Sequence, residues 1–67
     1  MPFVQIHLAR GRTAQQLHAL AEAVTEAAET TLQAPAAAVR VVITEHEPSH
    51  WFVGGRSLTE RQTPRQP

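Results

Sequence analysis

The chain has 67 residues, no cysteine, and six arginines balanced by six glutamates, with neither lysine nor aspartate. A chain of this length buries only about 60% of the surface it exposes when unfolded, so a lone copy is marginal; with disulfides excluded, self-association is the expected remedy. The balanced charge argues against nucleic acid or an anionic membrane as a main partner, the apolar runs are too short to span a membrane, and Met1-Pro2-Phe3-Val4-Gln5 lacks the charged and apolar regions of a signal peptide, so a cytoplasmic protein is expected.

Residues 3–9 predict a strand, with Val4, Ile6 and Leu8 on one face and Phe3, Gln5 and His7 on the other. Arg10-Gly11-Arg12 reads as a turn. Thr13 is a helix N-cap, and Gln16 three residues later completes a capping box. From Ala14 to about Gln33 the spacing of Leu17, Leu20, Ala21, Val24, Ala27, Ala28, Thr31 and Leu32 predicts an amphipathic helix, with Glu22, Glu26 and Glu29 on its wet side. Pro35 disfavours helix at Ala34 and ends the segment.

Residues 39–45 form a β-branched run and predict the second strand: Val39, Val41 and Ile43 on one face, Arg40, Val42 and Thr44 on the other. A loop follows at 46–50, then a short strand or hairpin around Trp51-Phe52-Val53-Gly54-Gly55-Arg56. Residues 1–58 are expected to form one domain, and the polar, proline-containing residues 59–67 a loose tail. The order strand, helix, strand, hairpin predicts an α+β chain whose crossover helix joins a parallel pair. One helix covers only one face of such a sheet. The apolar Val42 on the other face, together with exposed strand edges, calls for a second copy.

His46-Glu47-Pro48-Ser49-His50 matches the zinc-hydrolase pattern H-E-x-x-H, but Pro48 breaks the helix on which the two histidines would converge, and the segment reads as a surface loop. The glycine pair 54–55 lacks the lysine of a phosphate loop. Ser49 and Ser57 carry no triad pattern, because a triad is defined by geometry rather than by sequence proximity.

Pro2 and the arginines carry more. Removal of the initiator methionine before a small residue turns Pro2 into a secondary amine. An α-amino group titrates near ~7.7–8.0, and cationic neighbours and apolar surroundings both disfavour its charged form, so it can serve as a neutral general base. Arg40 projects from a strand face shared with Val42 and Thr44, where a solitary cation needs a carboxylate from the chain or from a ligand. Arg12 sits in the turn before the helix, near a strand end, and Trp51 and Phe52 either wall an apolar pocket or fill a core.

Together, Met1-Pro2, the segment from Gln5 to Thr13, Ala34-Pro35, the strand from Val39 to Glu45 and the segment from His50 to Gly55 resemble the 4-oxalocrotonate tautomerase family over residues 2–58, without insertions. The resemblance implies a tautomerase/MIF-like α+β fold: a β-α-β unit with a C-terminal β-hairpin, oligomerising through shared sheets into a homohexamer built as a trimer of dimers. It implies a keto-enol tautomerase, with Pro2 as general base moving a proton in an unsaturated 2-hydroxy or 2-oxo (di)acid such as 2-hydroxymuconate. Arg12 would bind a substrate carboxylate. Arg40, from a neighbouring subunit, would bind the 2-oxo oxygen and the adjacent carboxylate, and Trp51 would keep the pocket apolar. Neither a metal nor an organic cofactor is implied. Trp51 and Phe52 are bulkier than the residues usual at these positions. Val53 stands where related dehalogenases carry a water-activating glutamate, which favours tautomerisation. The alternative is a non-catalytic or heteromeric partner subunit of a tautomerase-fold oligomer.

Overall fold

A computed structural model describes residues 1–62, with side chains described to residue 60. The expected first half forms closely as spaced. Strand β1 runs Phe3–Ala9 and helix α1 runs Ala14–Leu32. The Thr13 hydroxyl accepts the Gln16 N–H at 3.0 Å, and the Gln16 amide oxygen accepts the Thr13 N–H at 2.9 Å, so two otherwise unpaired donors of the first turn are satisfied reciprocally. Gln33 ends α1 in the left-handed conformation (φ 56°), a common helix terminus. A short 3-10 turn at Ala36–Ala38 leads into strand β2, Arg40–His46, one residue later at each end than its β-branched run suggests. The loop after β2 is closed by a second 3-10 turn, Pro48–His50, in which proline takes the first helical position where no N–H is needed.

β1 and β2 pair in parallel, with Phe3 opposite Arg40, Gln5 opposite Val42, His7 opposite Thr44 and Ala9 opposite His46. The period-two expectation holds on both strands. Val4, Ile6, Leu8, Val41 and Ile43 are half-buried, while Phe3, Gln5, His7, Arg40, Val42 and Thr44 are exposed. Leu17, Leu20, Ala21, Val24 and Ala28 form the half-buried stripe of α1, as spaced. Ala27, Thr31 and Leu32 do not belong to it: all three are exposed, Leu32 at 61%. Thr25 is half-buried instead.

Strands β3 (Phe52–Val53) and β4 (Arg56–Ser57) form the expected hairpin, antiparallel, through Gly54 and Gly55 at φ 61° and 82°. Two successive positive φ values define the turn whose twist suits a two-residue hairpin, and glycine adopts them without strain. The loose tail expected from residue 59 is corrected over its first four residues. Leu58–Gln62 form a short helix, α2, started by a second reciprocal cap: the Ser57 N–H donates to Glu60 at 2.7 Å and the Glu60 N–H donates to the Ser57 hydroxyl at 3.2 Å. The Leu58 N–H also donates to the Trp51 carbonyl at 2.9 Å, which ties α2 to the loop after β2. The rest of the expected tail, residues 63–67, lies outside the described residues.

No apolar side chain among the described residues is fully buried. The uncovered sheet face instead presents Phe3 at 58% and Val42 at 45% exposure. Apolar surface of this kind normally meets a partner, which agrees with the self-association inferred from length alone.

Candidate functional site

The parallel sheet has two ends, and the four residues expected to form the site divide between them. At the first end the Arg40 N–H donates to the Pro2 carbonyl at 3.0 Å, which pins the chain start to the start of β2. The Arg40 guanidinium then lies over the N-terminus, its Nε 3.2 Å from the Met1 sulfur. Sequence reasoning expected a solitary cation that needs a carboxylate. The structure corrects the burial: Arg40 is exposed in the single chain, so its charge is solvated rather than stranded. Its polar contact is to Met1, not to a glutamate. Pro2 itself is half-buried.

At the second end Arg12 donates to the Ala9 carbonyl at 3.1 Å, which folds its side chain back over the end of β1. Ala9 is the register partner of His46, so Arg12 and the loop carrying Trp51 share this end. Trp51 is half-buried, with its ring edge-on to His46 at a centroid distance of 5.6 Å. Phe52 is exposed at 59% and fills no core. From Pro2 to Ala9 is seven strand steps, or about 23 Å at a rise of about 3.3 Å per residue. One chain therefore puts Pro2 and Arg40 at one end of the sheet and Arg12 and Trp51 toward the other, and holds the two pairs apart. Neither Arg12 nor Arg40 makes an ion pair among the described residues, whereas Arg10 does, with Glu47 at 2.8 Å. Two guanidinium groups without a carboxylate can each take a planar anion through paired hydrogen bonds.

Sequence reasoning missed a third feature. His7 Nδ1 and His46 Nε2 lie 2.8 Å apart on the uncovered face, with the ring centroids 5.1 Å apart and the planes 28° from parallel, so the rings meet edge to edge through these nitrogens. Extending β2 by one residue would have revealed it, because His46 then shares the face of His7. These two line an open groove of about 440 Å³ with His50, Trp51 and Phe52. The H-E-x-x-H segment does not converge on a metal: His46 ends a strand, and Pro48–His50 form a separate 3-10 turn. No cluster of three or more metal-ligating side chains occurs among the described residues, and no helix among them is long and apolar enough to cross a membrane.

A β-α-β unit followed by C-terminal strands is the architecture of small tautomerase-fold chains. The family model described as tautomerase enzyme matches residues 2–61, and the chain belongs to that family. It is 44% identical over 57 residues to a 2-hydroxymuconate tautomerase of Stutzerimonas stutzeri, covering 85% of this chain and 90% of that one. It is 41% identical over 61 residues to a probable tautomerase of Bacillus cereus, covering 91% and 100%. Among solved structures it superposes with a TM-score of 0.88 and 49% identity on a 4-oxalocrotonate tautomerase homologue of the tomaymycin biosynthetic pathway, over 91% of this chain and 94% of that one. A heterohexameric 4-oxalocrotonate tautomerase of Chloroflexus aurantiacus matches at a TM-score of 0.85 and 40% identity, over 90% and 97%.

Proposed function

We propose that this chain, with Met1 removed, is a cofactor-independent tautomerase of an unsaturated 2-hydroxy or 2-oxo (di)acid such as 2-hydroxymuconate. The observation that carries the reading is the position of Arg40 over the N-terminus, within 3.2 Å of the Met1 sulfur. Loss of Met1 leaves a secondary amine on Pro2 at the strand end that carries Arg40. That cation disfavours the ammonium form and keeps the nitrogen available as a base near neutral pH.

The chemistry follows from these groups. The Pro2 nitrogen takes a proton from one end of the conjugated system, the electron pair shifts along it, and the same nitrogen returns a proton to another carbon, so nothing is gained or lost overall. Negative charge develops on the oxygen at carbon 2. A guanidinium aimed at that oxygen and the neighbouring carboxylate stabilises it, the role assigned to Arg40. Arg12 holds the remaining carboxylate, and Trp51 keeps water from the pocket, which strengthens both attractions.

Because a single chain holds Arg12 and Trp51 about 23 Å along the strand from Pro2, the site is completed only between copies. This agrees with the bare apolar face and with a hexamer built as a trimer of dimers. Arg40 is expected from a neighbouring subunit; within one chain its side chain also lies near its own N-terminus, and Arg12 and Trp51 are the further residues we propose a neighbour supplies. Turnover of 2-hydroxymuconate by Pro2→Ala tests the reading. A loss of two orders of magnitude or more supports Pro2 as the base, and an unchanged rate overturns it.

A second reading, a partner subunit of a mixed oligomer, is favoured by the match to a heterohexameric relative. Co-purification of a second, similar chain from the native source supports it. A homo-oligomer that turns over substrate alone overturns it.

A further inference from the structure

The His7–His46 pair has no part in the chemistry above, yet it abuts the residue given the role of pocket wall. The two rings come from adjacent strands and hydrogen-bond at 2.8 Å, and His46 meets Trp51 edge-on at 5.6 Å. The backbone on either side is fixed. The His46 carbonyl accepts the Arg10 N–H at 2.8 Å, and the Trp51 carbonyl accepts the Leu58 N–H at 2.9 Å. With both main chains held, the indole orientation depends on the imidazole it touches.

We infer that His7 and His46 are positioning residues for Trp51, a shared-proton pair that sets the indole against the substrate pocket and releases it when both imidazoles are charged. The assignment of Trp51 to the pocket rests on the proposed function; the coupling of the pair to Trp51 does not. An imidazole–imidazole hydrogen bond needs one nitrogen to donate and the other to accept. A neutral pair satisfies this, and so does a pair carrying one extra proton, whose bond is then charge-assisted. Two imidazolium rings offer only donors, so the second proton breaks the bond and places like charges side by side. The other titratable and charged groups nearby are His50, which lines the same groove and is therefore substituted separately below, Arg10 and Glu47, which are paired with each other, and Arg12, which is engaged by the Ala9 carbonyl.

Trp51 is the only tryptophan and the chain has no tyrosine, so its emission reports this contact without labelling. An adjacent imidazolium quenches indole fluorescence. The experiment is a pH titration of Trp51 emission in the substrate-free oligomer, for the unsubstituted protein and for H7Q, H46Q and H50Q. The oligomer size of each is checked by sedimentation. The unsubstituted protein is expected to titrate in two resolved steps. H7Q supplies an amide that pairs with His46 in either charge state, so it is expected to collapse the profile to one step although residue 7 does not touch the indole. H46Q should flatten the profile, and H50Q should leave two steps. For 2-hydroxymuconate, H46Q is expected to raise KM about two- to tenfold with kcat retained, the scale of one lost aromatic contact.

A two-step profile in H7Q overturns the coupling; should H7Q fail to assemble, H7N is read in its place. A protein that shows the two-step profile but no tautomerase turnover overturns the proposed function and not the pair. Turnover that depends on Pro2, alongside a single-step profile in the unsubstituted protein, overturns the pair alone.

Discussion

Replacing Arg40 by alanine separates a catalytic role from a structural one. The side chain is exposed, makes no ion pair among the described residues, and has its polar contact there with the Met1 sulfur, while its backbone N–H bond to Pro2 survives the substitution. Surface substitutions of this kind change stability by about 0.5 kcal/mol or less. In the proposed reaction the same guanidinium faces the charge that develops at carbon 2, and removing one such donor costs about 10²–10³ in rate, roughly 2.7–4 kcal/mol. R40A is therefore expected to lose about 10²–10³ in kcat/KM for 2-hydroxymuconate, followed by its ultraviolet absorbance, with an unfolding midpoint close to that of the parent. R40K keeps the charge but not the planar fork, and should fall between the two. A loss below threefold in R40A, with the oligomer intact, would refute the placement of Arg40 at the reacting end. An equal loss of folding would make it a structural residue instead.

Other expectations follow from the fold. Val42→Glu puts a charge at the centre of the uncovered sheet face and should break the oligomer; since no apolar side chain is fully buried within one described chain, sedimentation should show smaller, partly unfolded species. An unchanged mass would mean that this face is not the interface. Thr13→Ala removes one arm of the capping box and should destabilise the protein by about 1 kcal/mol in denaturant unfolding, without altering turnover. Glu47→Gln breaks an ion pair whose two side chains are more than half exposed, and a stability change within about 0.5 kcal/mol is expected in the same assay.

The fold was legible where local chemistry and periodicity agree. Thr13 and Gln16 mark the helix start because a cap is a local hydrogen-bond pattern, and the alternation of Val4, Ile6, Leu8 and Val41, Ile43 marks the covered face because strand geometry has period two. The last turn of α1 was misjudged because periodicity shows which side of a helix is apolar, but not how much of that side the rest of the chain covers, and Leu32 is exposed. The second cap, Ser57 with Glu60, was as readable as the first, and was hidden by the polar composition of the residues around it.

For the candidate site, residue types were legible and their grouping was not. Pro2, Arg12, Arg40 and Trp51 stand out as an amine, two cations and an aromatic, but only the parallel register shows that they fall at two ends of one sheet. The His7–His46 pair escaped because it depends on a diagonal contact between strands that lie far apart in sequence.

The central claim is that Pro2 acts through a free amine, so the N-terminus of the active oligomer is the most direct test. Intact mass spectrometry of the purified, active protein should show the mass of the chain less one methionine residue, with Pro2 first. Full turnover by a protein that retains Met1 would contradict it, because the Pro2 nitrogen would then be an amide with no basic lone pair to offer.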